Sequence, residues 1–538
     1  MKKIILSLSI VLLFLGSLHA QKLSEDIEVE LGKPFTVVDA KSKDYIAVGD
    51  NSIISVKLRD VKGYIQKFNA TTMEEEGRFE YTDFPKYTNA QGLVNLKGNY
   101  YIIYEAYNKK AKTFTLYSRK IDVAGTRLED QKALLTSSRP VIKSETARLD
   151  NLGQIAYQFV PKFDIITSFD KSKLLVRYRL KPASRKDKEN YDELGFYVYD
   201  QDLNEVQGAE VQMPYTEKEM NNLAFSVGGD GNAYMLARIN TTKSLELITI
   251  KNGEVEALML DVNEDLTFDR FDLSENAAGN IVAAGYYANG FEFKMNWMGN
   301  GSISTNVNGI YVFEFNDKGE VLKKTEYEFP AELIKQSLSS KQRAAITKRE
   351  REGKAGILDL RMKNFQLNED GSMIFVGEVC YTKKELYMMS TEYVTHFGNI
   401  VITKLDANGS LVWNKKVTKN QAVLGNAISL INTCGFYFVK GEKDYYMLFV
   451  DNAKNAKLNL KSPALPHKAG FGGYLMAYKV SDIDGEVQKH LICDLTSIKG
   501  TRAYQFDIRR ILNVQDQAFL MEVYIKEKRD NMVKMTFD

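Results

Sequence analysis

The sequence predicts an all-β chain: a single β-propeller of eight four-stranded blades, with seven as the alternative, closed by its terminal strands and carrying one helical insertion. Three observations carry this expectation. An apolar strand led by a polar turn recurs eight times, and a hairpin-like unit follows each of the first seven copies. The eighth copy lacks a final strand, which the start of the mature chain can supply.

The apolar strands begin at Asp44, Asn99, Lys173, Asn232, Asn280, Ser372, Tyr445 and Gln517. Unbroken apolar runs of this length suit strands buried on both faces. The second unit is clearest at 196–206, 311–321, 400–413 and 475–487, and weaker at 69–76, 122–125 and 251–255. Each places Gly, Asn or Asp between two strand-like runs, because tight turns need residues that tolerate positive φ. Two such hairpins make the four strands of one blade. After Gln517 the chain provides only one more run, Asn531 to Asp538, and stops. Asp26-Ile-Glu-Val-Glu-Leu31 alternates polar and apolar residues and fits the empty place. Pairing the two ends would remove an exposed sheet edge.

The short Asp-Gly and Asn-Gly turns, with the Trp that ends Asp406-Ala-Asn-Gly-Ser-Leu-Val-Trp413, resemble those of propeller proteins exported by Bacteroidota. The resemblance covers hairpins rather than the whole chain and implies fold. It matches no characterised family closely.

Lys2 and Lys3, the apolar run 4–16 and Ala20 before Gln21 read as a secretory signal peptide over residues 1–20, leaving 21–538 as the propeller domain. The apolar run is shorter than the ~20 residues of a spanning helix, and no later segment spans a membrane. Lys and Arg number 72 against 70 Asp and Glu, so nothing points to nucleic acid. Cys380, Cys434 and Cys493 are too few for a disulfide scaffold. Blade order puts Cys434 and Cys493 at opposite edges of one sheet, ~14 Å apart and too far to bridge.

In a propeller blade, turns joining strands one to two and three to four lie on one face, and all other connections on the opposite face. The long connections 181–193, 287–308, 380–398 and 451–473 run from strand two to strand three, and 136–161 and 331–356 join blades. All six therefore belong to one face. Segment 331–356 reads as a helix, with Leu333, Ile334, Leu338, Ala345 and Ile346 at helical spacing. It is basic, with Lys335, Lys341, Arg343, Lys348, Arg349, Arg351 and Lys354 against Glu332, Glu350 and Glu352. The candidate binding residues are Phe291, Phe293 and Trp297, then Tyr381, Tyr387 and Tyr393, and on the helix Lys348, Arg349 and Arg351. Aromatics suit protein partners or stacked sugars, and basic residues an acidic partner or surface.

No catalytic residues are assigned. His396, His467 and His490 show no metal-ligand spacing, no phosphate loop or nucleophile elbow occurs, and no cofactor or metal is expected. Asp482-Ile-Asp-Gly485 reads as a plain turn rather than a calcium loop. Trp413 reads as packing between blades. The functional expectation is a non-enzymatic envelope protein, periplasmic after export, that holds a protein partner on its long-connection face. A subunit of an outer-membrane transport or type IX secretion assembly is the concrete version. The alternative is a glycan-binding or glycan-cleaving propeller, which needs only a carboxylate pair that spacing does not reveal. It predicts a polar central pocket ringed by aromatics, where the first reading predicts a broad apolar patch.

Overall fold

The computed structural model of the protein describes residues 27–537 other than 50, 145–160, 185, 187, 264, 296–300, 317, 388–389, 426–432, 470–471 and 516. The expected leader, much of the 136–161 connection and Trp297 lie outside these residues.

Eight sheets, each antiparallel across its four blade strands, form the blades of a β-propeller. Blade 1 comprises Ser42–Val48, Ser52–Arg59, Lys62–Asn69 and Glu75–Tyr81. Blade 2 has Thr88–Leu96, Asn99–Asn108 and Thr113–Asp122, and Arg127–Leu128 and Lys132–Thr136 share its outer edge. Blade 3 has Phe163–Thr167, Leu174–Leu180, Tyr191–Tyr199 and Glu205–Thr216. Blade 4 has Met220–Val227, Ala233–Ile239, Leu245–Lys251 and Glu254–Leu260. Blade 5 has Thr267–Glu275, Ile281–Met295, Gly301–Phe315 and Val321–Glu328. Blade 6 has Leu360–Leu367, Met373–Tyr387, Ser390–Leu405 and Leu411–Val417. Blade 7 has Tyr437–Lys440, Asp444–Asp451, Tyr474–Ser481 and Val487–Asp494.

Blade 8 joins the two ends of the chain. Leu512–Gln515, Ala518–Lys526 and Arg529–Phe537 take Ile27–Leu31 as their fourth strand, in register from Ile27↔Phe537 to Leu31↔Val533. Ile27 and Val29 turn inward and are buried, while Glu28 faces solvent, so the alternation seen in the sequence sets the register.

Packing follows the ring. The first strands of successive blades lie side by side around the axis. Eight apolar clusters each draw on two consecutive blades, including Ile53 with Leu520 across the pair 8 and 1. Trp413 lies between blades 6 and 7, donating its indole N–H to the Asp482 carbonyl at 3.0 Å. A Cβ on Gly485 would sit 2.7 Å from its ring, so this turn needs glycine for its close approach as well as for its φ of +67°. The 482–485 segment is a turn whose Asp482 carboxylate accepts bonds from Lys404 and Tyr445. All three cysteines are free and buried.

Two details differ from the sequence reading. The run at Asp44 is the innermost strand of blade 1, whereas the other seven runs are second strands. The true second strand, Ser52–Arg59, buries Ser55 and Lys57 among its apolar residues and so lacks a continuous apolar run. The long connections of blades 5 and 6 are not loops: their second and third strands continue past the blade as paired ribbons.

Candidate functional site: two unlike faces

On the short-turn face one turn recurs. In the inner turns of blades 3 to 6, the fourth residue donates its N–H to the carbonyl of the first, and the first donates to the fifth in blades 4 to 6 and to the sixth, Lys173, in blade 3. Ser168–Lys171, Gly228–Gly231, Asn276–Gly279 and Asn368–Gly371 each make this bond at 3.0 Å. The outer turns at Asp200, Asn316 and Asp406 repeat it. The fourth residue has positive φ, as in a type I turn closed by a bulge.

These inner turns surround a cleft of about 520 Å³ lined in part by Asp170, Glu275, Glu369 and Phe169. Two of its carboxylates serve the turns themselves. Glu275 accepts the Gly229 N–H at 3.0 Å, and burial raises its pKa. Asp170 accepts from the Ser168 hydroxyl at 2.7 Å and pairs with Lys97 at 3.1 Å. Among the described residues Phe169 is the one aromatic of the lining, beside the carboxylates of Asp170, Glu275 and Glu369.

The opposite face carries the long segments. Residues 331–356 form α1, Ala331–Lys335, and α2, Ser340–Arg351. Ser337 separates them at a φ of +61°, and Ser339 and Gln342 cap α2 reciprocally. Leu333, Ile334 and Ile346 pack between blades 5 and 6. Lys416, buried on blade 6, donates to the Leu333 and Ile334 carbonyls at 3.1 Å. Burial brings its pKa down to about 8. From blade 5, Asn306 and Asn308 donate to the Lys354 and Ala355 carbonyls. In blade 7, Asn455 folds residues 452–465 back on themselves, donating to Asp451 at 2.7 Å and to the Leu465 carbonyl at 2.9 Å.

The predicted binding residues divide among these segments. Lys348, Arg349 and Arg351 are on α2. Phe291 and Phe293 lie on the blade 5 ribbon, paired with Thr305 and Ile303. Tyr387 closes the blade 6 ribbon opposite Ser390. The side chains of Phe291, Phe293 and Tyr387 are outside the described residues, as is Trp297. Tyr381 and Tyr393 are together on the blade 6 ribbon and exposed, at 36% and 47%. Tyr381 stacks on His396 at 4.9 Å, and the Lys384 amine lies 5.1 Å from the Tyr393 ring. The His396 ring bonds Glu385 at 2.9 Å, and burial lowers its pKa. Among the described side chains, each of these two tyrosines stands beside a lysine.

Sequence reasoning missed a ring of charges beneath this face. Six residues after the turn residue of the second strand stand Lys57, Glu105, Arg179, Arg238, Glu378 and Asp451. All are buried except Arg238, which is half-buried. Lys57 pairs with Glu522 of blade 8 at 2.6 Å, and Glu105 with Lys162 at 3.2 Å. Arg179 holds Asp192 at 2.6 Å and Glu217 at 2.9 Å. Glu378 pairs with Lys419 at 2.5 Å. Burial opposes ionisation of Glu522, but Lys57 and Lys43 prevail and hold its pKa at about 2. Burial, then Glu522, raises neighbouring Asp530 to about 6. The available signal was a charged residue directly after the apolar runs that begin at Asn99, Lys173, Asn232, Ser372 and Tyr445. Among the described residues, no group of three or more His, Cys, Asp or Glu side chains is placed to hold a metal.

No known family model matches the chain, and no curated protein matches it. Among solved structures it is similar to the polysaccharide lyase Uly1, at 10% identity over 96% of this chain and 94% of that one, with a TM-score of 0.39. It is also similar to the β-propeller domain of the Trilobed protease from Pyrococcus furiosus, at 11% identity, 84% and 98% coverage and a TM-score of 0.34. The WD40 domain of SCAP from fission yeast follows at 8% identity, 95% and 98% coverage and a TM-score of 0.35. At these values none bears on function.

Proposed function

We propose that this propeller is a non-enzymatic scaffold that holds a protein partner on its long-connection face. One observation carries the reading: the described long segments rise from one end of the ring, two of them as paired ribbons, while tight repeated turns close the other end. Binding residues concentrate where variable segments stand on a fixed support. Exposed Tyr381 beside Lys383 and Tyr393 beside Lys384 provide aromatic and cationic contacts of the kind that anchor protein interfaces. The leader-like start and the Bacteroidota-like hairpins suggest the setting: export to the periplasm and a place in an outer-membrane transport or type IX secretion assembly.

The test is affinity isolation of the tagged protein from gently solubilised envelopes, beside Tyr381→Ser/Tyr393→Ser, whose side chains are exposed and whose loss leaves the core intact. Stoichiometric recovery of one envelope protein is expected, falling at least ~10-fold in the double variant, as for a pair of aromatic hot spots. Recovery of the propeller alone from wild type would count against a scaffold.

A further inference from the structure

The blade 6 ribbon has one covered edge and one open edge. Gln421–Leu424 pairs with 394–397 along its third strand, and His467–Lys468 pairs beyond that. On the other side, Leu360–Leu367 stops at Leu360↔Val379, and the second strand continues alone on that edge to Tyr387.

Residues of an antiparallel pair alternate between exchanging both backbone bonds and directing both outward. Two bonds fix the phase here. The Gly425 N–H donates to the Tyr393 carbonyl at 2.7 Å, so Tyr393 faces away from its cross-ribbon partner Lys384. Lys384 therefore faces the open edge. The Cys380 N–H likewise points outward, to the Asp359 carbonyl at 2.9 Å. By alternation Thr382, Lys384 and Leu386 direct their N–H and C=O groups to the open edge, and among the described residues no backbone group meets them. Lys383 and Lys384 are exposed beside it.

We propose that this edge, residues 382–386, takes an extended segment of the partner protein as an added strand, with an acidic side chain set beside Lys384. This rests on the scaffold reading and names the chemistry of its partner. Unpaired backbone donors and acceptors at strand spacing are complementary to another extended backbone, and the alternate side chains give selectivity. Charge sets the sign. The Lys383 amine is already paired with Glu385 at 2.7 Å, whereas Lys384 meets the Tyr393 ring and no carboxylate among the described residues. Adjacent lysines also repel the same edge of a second copy, which disfavours self-pairing.

The probe is a fluorescent peptide of alternating Glu and Val, read by anisotropy with the full chain at low salt. Binding tighter than about 100 µM is expected, since a short added strand is a weak ligand. Methylating alternate backbone nitrogens of the peptide removes its donors and should weaken binding at least ~10-fold. Lys384→Pro removes an outward N–H that the ribbon does not use, so it should weaken binding similarly with an unchanged unfolding midpoint. Lys384→Glu should reverse the preference toward a Lys-Val peptide. Equal binding of the methylated peptide, or none by wild type at about 1 mM, overturns the proposal. If Lys384→Pro shifts the midpoint, the methylated peptide alone decides. Envelope capture lost in Tyr381→Ser/Tyr393→Ser but kept in Lys384→Pro would leave the docking face standing and remove strand addition.

Discussion

The two ends of the ring are held by contacts of opposite range. On the short-turn face a turn closes itself: Gly279 bonds Asn276, and the Asn276 side chain accepts the Ala278 and Asn280 amides. On the long-connection face the partners are remote. Lys57 and Glu522 are 465 residues apart, Lys416 and Leu333 83, Lys419 and Glu378 41. Local bonds close each of these turns, and single carboxylate contacts, such as Glu275 with the Gly229 N–H, tie one turn to the next. Remote closure makes each buried charge depend on another element being in place, so damage on the two faces should differ in size.

The largest difference is expected at Lys419 and Glu378, whose side chains are 0% and 1% exposed. Lys419→Met strands a carboxylate in the interior and should cost ~3–5 kcal/mol, read from the shift of a urea midpoint. Lys419→Met/Glu378→Leu removes both charges and should recover most of that loss. An exposed pair sharpens the contrast: Lys62 and Glu80 meet at 2.7 Å, but at 52% and 43% exposure. Lys62→Met should cost less than ~1 kcal/mol. A double variant no better than Lys419→Met would mean that packing, not the stranded charge, sets the cost.

The same asymmetry explains what was legible in the sequence. The turns could be read because Gly231, Gly279, Gly319, Gly371 and Gly409 all stand at the position that requires positive φ. The terminal strand could be read from the alternation of Ile27, Val29 and Leu31. The ribbons could not: Thr382-Lys-Lys-Glu385 lacks a strand's apolar pattern because its side chains are exposed or half-buried. Glu105 and Glu378 gave no sign of burial, since the lysines they meet, Lys162 and Lys419, stand 57 and 41 residues away. Lys416 gave no sign at all, because the carbonyls it meets belong to a helix in the preceding interblade connection.

Lys416 should also be visible in the pH dependence of stability. Burial lowers its pKa from 10.5 to about 8. Between those values the unfolded chain keeps the proton that the folded chain has released. Stability should therefore rise from pH 8 to pH 10.5, by on the order of 3 kcal/mol for this group alone. The neutral amine keeps two hydrogens for the two carbonyls, so the clamp on α1 survives deprotonation. Lys416→Met should lack this increment, and subtracting its unfolding free energies from wild type at each pH isolates it. A flat difference would mean that water reaches the amine.

The smallest effect tests whether the repeated turns are equivalent. Lys171 stands where blades 4 to 6 have Gly231, Gly279 and Gly371, and holds a φ of +57°. A left-handed conformation costs a side-chain-bearing residue ~1–2 kcal/mol, partly offset by the greater freedom glycine loses on folding. Lys171 is exposed and gives up no core contact, so Lys171→Gly should gain about 0.5 kcal/mol. Gly279→Ala is the mirror experiment. Its φ is +82°, and an added Cβ meets nothing nearer than 4.0 Å, so the loss of ~1 kcal/mol expected there is purely conformational. Opposite signs in urea unfolding would show that each turn answers to its own backbone, as local closure requires. Two losses would mean that the Lys171 side chain supports its turn in a way the glycine turns do not share.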